Sequence, residues 1–247
     1  MNNKLLVIAR KDISEAFRSR STYIIILVMI LLTVSYISGY TSYVKSLDGN
    51  QQLIRNYSHS FLTSLSYMLP MMFSIFVCSV FANYAVIVDK AKRNLESLMA
   101  TPVSIKEIWL GKSLAVTLPS LGVGIAVAIL SFLIMNIWFV MPRAGAFIFP
   151  DVWAIVSTFV LVPLLVFSIV TIVTYIQLIV TNPRIGNFVF SGIFILLLFG
   201  INALGGLGIS VNYFALVYLG VIVLCAIASY FLSLSLTKEK VLLSSKV

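Results

Sequence analysis

Residues 152–183 read VWAIVSTFVLVPLLVFSIVTIVTYIQLIVTNP, 32 positions without a charge. A helix rises 1.5 Å per residue, so about 20 apolar residues cross the roughly 30 Å of bilayer hydrocarbon. This run is therefore a membrane span with residues to spare. Four further charge-free runs flank it. Ser21–Val44, Ser60–Val88 and Ser113–Pro142 hold 24, 29 and 30 residues, and Ile185–Thr237 holds 53. The last is long enough for two spans, parted at Gly205-Gly206-Leu207-Gly208. The expected fold is an all-α polytopic membrane protein in one domain, 1–247, with six transmembrane helices. They fall at about 21–44, 62–88, 110–141, 152–181, 186–204 and 213–236.

Composition agrees. Of 247 residues, 60% are apolar and 10% charged, with a mean hydropathy of +1.07. A soluble domain carries about 25% charge; here there is too little polar surface to coat a water-facing core. The first run also fits a signal peptide, but twenty residues containing Asp12 and Glu15 precede it, so it reads as a retained span.

A net charge of +9 would suit nucleic acid if it were spread over a surface. Instead it falls in short blocks between spans. With the N-terminus inside, the inner segments hold 14 Lys and Arg and the outer ones three, Lys45, Arg55 and Arg143. That is the positive-inside pattern, with both termini cytoplasmic. Before the first span, Leu5, Leu6, Ala9, Ile13, Ala16 and Phe17 recur at three- and four-residue steps among Lys4, Arg10, Lys11 and Arg18. Residues 1–20 thus read as an amphipathic helix lying in the inner interface, its cations on anionic lipid headgroups.

The cytoplasmic loop 89–109 is the most informative segment. Leu95, Leu98 and Met99 lie at i, i+3 and i+4 and form one small apolar face. Pro102 ends that helix. Ser104 and Glu107 have capping-box spacing, and the helix they open runs straight into the third span. Physics alone leaves two uses for the short helix: docking in a partner's groove, or lying back on the inner interface.

Residues Leu95, Glu96, Leu98, Met99, Thr101, Pro102, Val103, Ser104, Glu107, Gly111 and Lys112 carry a resemblance. They match the signature of type-2 ABC transporter permeases. There an acidic, basic-rich turn leads into Thr-Leu-Glu-x-Leu-Leu-x-Thr-Pro-Val-Ser, an aliphatic run and Gly-Lys. Arg93-Asn94 stand where the family has Gly-Thr, and Asp89 where it usually has Glu. The close match covers about 24 residues; the basic amphipathic opening and six spans are similar across the whole chain. The resemblance implies that 95–100 belongs to a coupling helix seated on a separate nucleotide-binding ATPase. It implies that the N-terminal helix, with Ala9, Ile13 and Phe17, is the family's elbow helix. It further implies a prokaryotic plasma-membrane exporter of two permease chains and two ATPase subunits, with ATP and Mg bound only by the ATPases.

Nothing in the chain suggests catalysis. Gly111-Lys112-Ser113 ends like a phosphate-binding loop, but Lys106 stands where its first glycine belongs; Lys112 reads instead as a lysine snorkelling at a span's mouth. The acids fall in or beside loops, His59 lies in the outer loop between spans one and two, and no zinc or triad spacing occurs. Cys78 and Cys225 read as packed thiols. Asn83, Asn136, Gln177, Asn187 and Asn202 read as interhelical hydrogen bonders, and Ser120, Gly122, Gly124 and Ala128 as a stripe for close helix approach. The lack of an intramembrane carboxylate weighs against an ion-coupled carrier. A stand-alone carrier or channel, and a biogenesis component that transports nothing, are the competing readings. No residue speaks for a particular substrate.

Overall fold

The structure, a computed structural model, describes residues 10–15, 17–46, 50–92, 94–180, 182, 185, 188–193, 195–196 and 213–245. Among them there is helix and no strand. In chain order the helices are α1 (Arg20–Ser46), α2 (Gln51–Val88), α3 (Asn94–Met99), α4 (Ile105–Ala144), α5 (Val152–Ile179), α6 (Tyr213–Ser235) and α7 (Lys238–Ser245). α1, α2, α4, α5 and α6 are long and apolar enough to cross a membrane, the architecture of a multi-pass membrane protein. The span expected at 186–204 lies largely outside the described residues, though 188–193 are helical.

α2 and α4 form the central pair, α5 packs on both, α6 leans on α5, and α1 packs on α2. The central contact depends on small residues. Ser120, Gly124 and Ala128 are buried at four-residue steps, whereas Gly122, expected on the same stripe, faces outward with open space around it. Gly124 lies against the Pro70–Ser74 turn of α2, where a methyl group would fall on Ser74 Oγ and within 3.0 Å of the Pro70 carbonyl oxygen. Pro70 has no N–H to offer the carbonyl four residues back. That carbonyl, on Ser66, accepts instead from Thr158 Oγ1 of α5 at 2.8 Å. A helix break inside apolar surroundings is thus repaired by a neighbouring hydroxyl.

At the end carrying Lys45, Arg55 and Arg143, α2 begins at Gln51 rather than residue 62. Asn50 caps it, its side chain accepting from Leu53 N at 3.3 Å, and Ile54 and Ser58 bury a first turn against Tyr40 of α1. His59 therefore belongs to a helix and not to a loop, with Nε2 3.5 Å from Asp151 Oδ1. α4 ends at Gly145, whose φ of +70° is the left-handed closure that glycine adopts without strain. Asn136 bonds within this end: its Oδ1 accepts from Ile148 N at 3.0 Å, so it staples a loop and not a second helix. Gln177 is fully buried with neither amide atom bonded, which also departs from the expected interhelical bond. Asn187 and Asn202 lie outside the described residues. Cys78 and Cys225 are free thiols packed in helices.

Candidate functional site

The Lys- and Arg-rich end of the bundle holds what sets this chain apart from a plain set of spans. Among the described residues three wide, π-type turns interrupt the long helices, and one of them, Asn83–Val88, closes α2 just before Asp89. Such turns shift the ladder by a residue and leave carbonyls to other donors. Here the Ala85 carbonyl accepts from the ammonium of Lys112.

Lys112 reaches it because it stands two turns into α4 on the inward stripe Ile105, Ile108, Trp109, Lys112 and Val116. Its side chain has no exposed surface. The ammonium lies 2.6 Å from Asp89 Oδ2 and 3.2 Å from Asp12 Oδ2, and those carboxylates are themselves 1% and 3% exposed. Lysine at this position therefore does not snorkel, because the Asp89 turn and segment 10–15 cover it and supply its anions. The arrangement is a three-way ionic lock. One cation joins the N-terminal segment, the end of α2 and the start of α4.

The two carboxylates differ electrostatically. Burial raises the Asp12 carboxyl above the ordinary value of 3.8, and the more distant Lys112 charge only partly opposes it. Burial acts on Asp89 in the same direction. There the closer Lys112 charge and hydrogen bond, the Asn94 amide at 3.0 Å and Lys11 at 3.8 Å together outweigh it and hold the group below its usual range. Lys11 thus faces the protein as well as its surroundings, pairing also with Glu15 at 3.9 Å.

Segment 10–15 is helical, as expected for the opening helix. Ile13 is half-buried, and Phe17 meets Phe81 of α2 edge-on at 5.2 Å between ring centroids. Ala9 lies outside the described residues.

α3 is fixed at both ends, at its start by the Asn94 amide on Asp89 and at its last residue by Lys238 on the Met99 carbonyl. Ser104 opens α4 with a full capping box: its N–H donates to Glu107 Oε2 at 2.9 Å, and Glu107 N–H donates back to Ser104 Oγ at 3.2 Å. The helix thus begins at Ile105, as the Ser104–Glu107 spacing predicts, and runs straight on. Lys238 of α7 donates to the Met99 carbonyl at 3.3 Å, the favourable place for a cation at a helix C-terminus. Lys90 does the same for α5 through the Val180 carbonyl at 2.9 Å, with burial pushing its amine down to about 8. Trp109 Nε1 donates to Thr171 O at 2.9 Å, and Ser113 shares a hydrogen with Thr174 at 2.7 Å, so α4 is also bolted to α5.

The apolar face of α3 turns inward. Leu95 is 0% and Met99 6% exposed, and Leu98 is packed against the same core, which includes Val241 of α7. Glu96 and Glu107 are half-buried, and Gly111 is buried beside Lys112. What α3 leaves outward is Ser97, Ala100, Thr101 and Pro102, with Ser104 beyond them. The structure therefore gathers the segments that the sequence singled out, but as an internally locked knuckle with a small polar outer face. Asp12 and Asp89 are functional candidates that the motif did not single out as partners of Lys112. Two signals could have found them: Asp12 falls among Ala9, Ile13 and Ala16 on an otherwise apolar stripe, and Asp89 lies one turn beyond Ala85.

Among the described residues no cluster of His, Cys, Asp and Glu suited to a metal ion occurs. Fold and site together define an all-helical, multi-pass chain whose basic end carries a charge-locked, capped knuckle. Comparison with protein-family models, curated proteins and solved structures returned no match.

Proposed function

We propose that this chain is the permease subunit of an ATP-driven exporter of the type-2 ABC class, spanning the plasma membrane six times with both termini in the cytoplasm. It is non-catalytic. Two copies, or one copy and a similar chain, form the translocation path and carry two nucleotide-binding subunits, which hold ATP and Mg.

The observation that carries this reading is that α3 is tied to the rest of the chain at both of its ends. The Asn94 amide ties its start to Asp89, Lys238 holds the Met99 carbonyl at its last residue, and Lys112 ties α4 to Asp89 and to segment 10–15. A push on the outer face of α3 by closing ATPase subunits is transmitted to α2 and α4 rather than absorbed in a loop. The segment 10–15 serves as the elbow helix and moves with them.

The exposed Ser97 of α3 and the exposed turn 100–102 that follows it then form the docking face. Substituting Ser97→Asp and Ala100→Trp should leave membrane insertion intact and reduce transporter-stimulated ATP turnover about tenfold, the equivalent of ~1.4 kcal/mol of coupling. Undiminished turnover in both variants, assayed with the partner ATPase in reconstituted vesicles, would refute the assignment. Met99→Asp is a contrasting case, because it buries a carboxylate in the chain's own core and should deplete folded protein outright.

A further inference from the structure

A cleft of about 620 Å³ opens between α1 and α2. Met29, Leu32 and Gly39 of α1 and Phe61, Leu65 and Met72 of α2 form its walls. We propose that this cleft is a binding site for one acyl chain of a membrane phospholipid.

Its chemistry favours an apolar occupant. Two of its polar side chains are already bonded inside the protein: Thr33 Oγ1 donates to the Met29 carbonyl at 2.9 Å, and Tyr40 OH pairs with Ser58 Oγ at 2.6 Å. Most of the remaining lining is aliphatic, aromatic and thioether surface. Methionines suit a flexible chain of variable length, since they repack with little penalty.

Its position selects a chain from one leaflet. Arg20 marks one boundary of α1, and the Gly39–Ser46 stretch, rich in hydroxyls, marks the other. Twenty residues between them span roughly 30 Å, the full hydrocarbon thickness. The cleft runs from Met29 to Tyr40 on α1. Eleven residues of rise are about 16 Å, the half of the bilayer at the Tyr40 end.

The end of the cleft at that boundary suits a headgroup. Tyr40 and Tyr57 stack there at 5.8 Å between centroids, at the depth where tyrosines line a membrane interface. Lys45 and Arg55 stand exposed beyond them, one on each wall helix, which complements a phosphate.

The test uses the whole chain purified in mild detergent, with bound phospholipid counted by native mass spectrometry. Gly39 lines the cleft and has no atom within 4 Å of an added Cβ, so Gly39→Phe introduces its ring from an open position; Gly122 is equally open at Cβ but lies on α4, and Gly122→Phe serves as the control. Both variants are first shown to be monodisperse. Retention of one phospholipid per chain by the unaltered protein and by Gly122→Phe, with its loss in Gly39→Phe and in Leu32→Trp, is the expected result. Equal retention in all four, or no retained lipid in the unaltered chain, overturns the proposal. So does efficient disulfide formation between chains carrying Gly39→Cys in native membranes, which would assign the cleft to a second copy.

Discussion

Replacing Lys112 by methionine is expected to destabilise the chain by about 3–5 kcal/mol, the usual cost of leaving buried charges without their counter-ion. The side chain it removes is wholly buried, and Asp12 and Asp89 would face each other with no cation between them and an unclaimed Ala85 carbonyl beside them. Thermal unfolding in detergent reads the effect. Adding Asp12→Asn and Asp89→Asn to the Lys112→Met chain should recover most of the loss, since the penalty comes from the stranded anions. Taken singly, Asp89→Asn should cost more than Asp12→Asn, because Asp89 has the shorter contact and two further donors.

The pH dependence has a definite sign. The raised Asp12 group binds a proton more readily in the folded state, so its contribution to stability increases as pH falls through its folded pKa, somewhere above 3.8. The lowered Asp89 group contributes stability that is complete above 3.8 and is lost only as pH falls through its folded value below that. Mild acid should therefore raise the unfolding midpoint of the unaltered chain relative to Asp12→Asn, and stronger acid should lower the midpoints of both chains through Asp89. A flat difference between the two chains down to strong acid would mean that Asp12 is not buried against Lys112.

Gly124→Ala is expected to cost about 1–3 kcal/mol by overpacking, and Gly124→Leu more. Two of the three atoms that a Cβ would meet are backbone, the Pro70 carbonyl oxygen and Ser74 N, so the conflict cannot be relieved by a rotamer change. α2 and α4 would have to separate along the contact that organises the bundle. Gly122→Ala, two residues away and facing open space, is the matched control and should be close to neutral. Equal midpoints for the two alanine variants would show that α2 and α4 do not pack as described.

Legibility in the sequence followed the range of the interaction involved. Spans and caps are local. The charge-free runs located all five described spanning helices, and Ser104 with Glu107 marked the start of α4 to the residue. The helical stretch of α2 from Gln51 up to the expected span at about 62 carried no hydropathy signal, because such a reading stops at Arg55 and His59 while the helix continues on the packing of Ile54 and Ser58 under Tyr40. The Lys112 lock joins residues 100 and 23 positions apart, and charge alone gives a lysine near a membrane boundary no reason to turn inward. The periodicity of Leu95, Leu98 and Met99 correctly identified a helix with one apolar face. It could not say whether that face met a partner or the chain's own core, since the two present the same pattern.

On the proposed function, an ATP-hydrolysing subunit presses on the exposed surface of Ser97 and residues 100–102. A photo-crosslinking residue placed at Thr101, which is exposed, tests it in native membranes, with the same residue at Trp138, 73% exposed on another part of α4, as the reference. The expected result is an adduct at Thr101, and none at Trp138, with a protein carrying Walker motifs. Reaction of Thr101→Cys with an impermeant reagent added outside intact cells, or an absence of any ATPase adduct at Thr101, would contradict it.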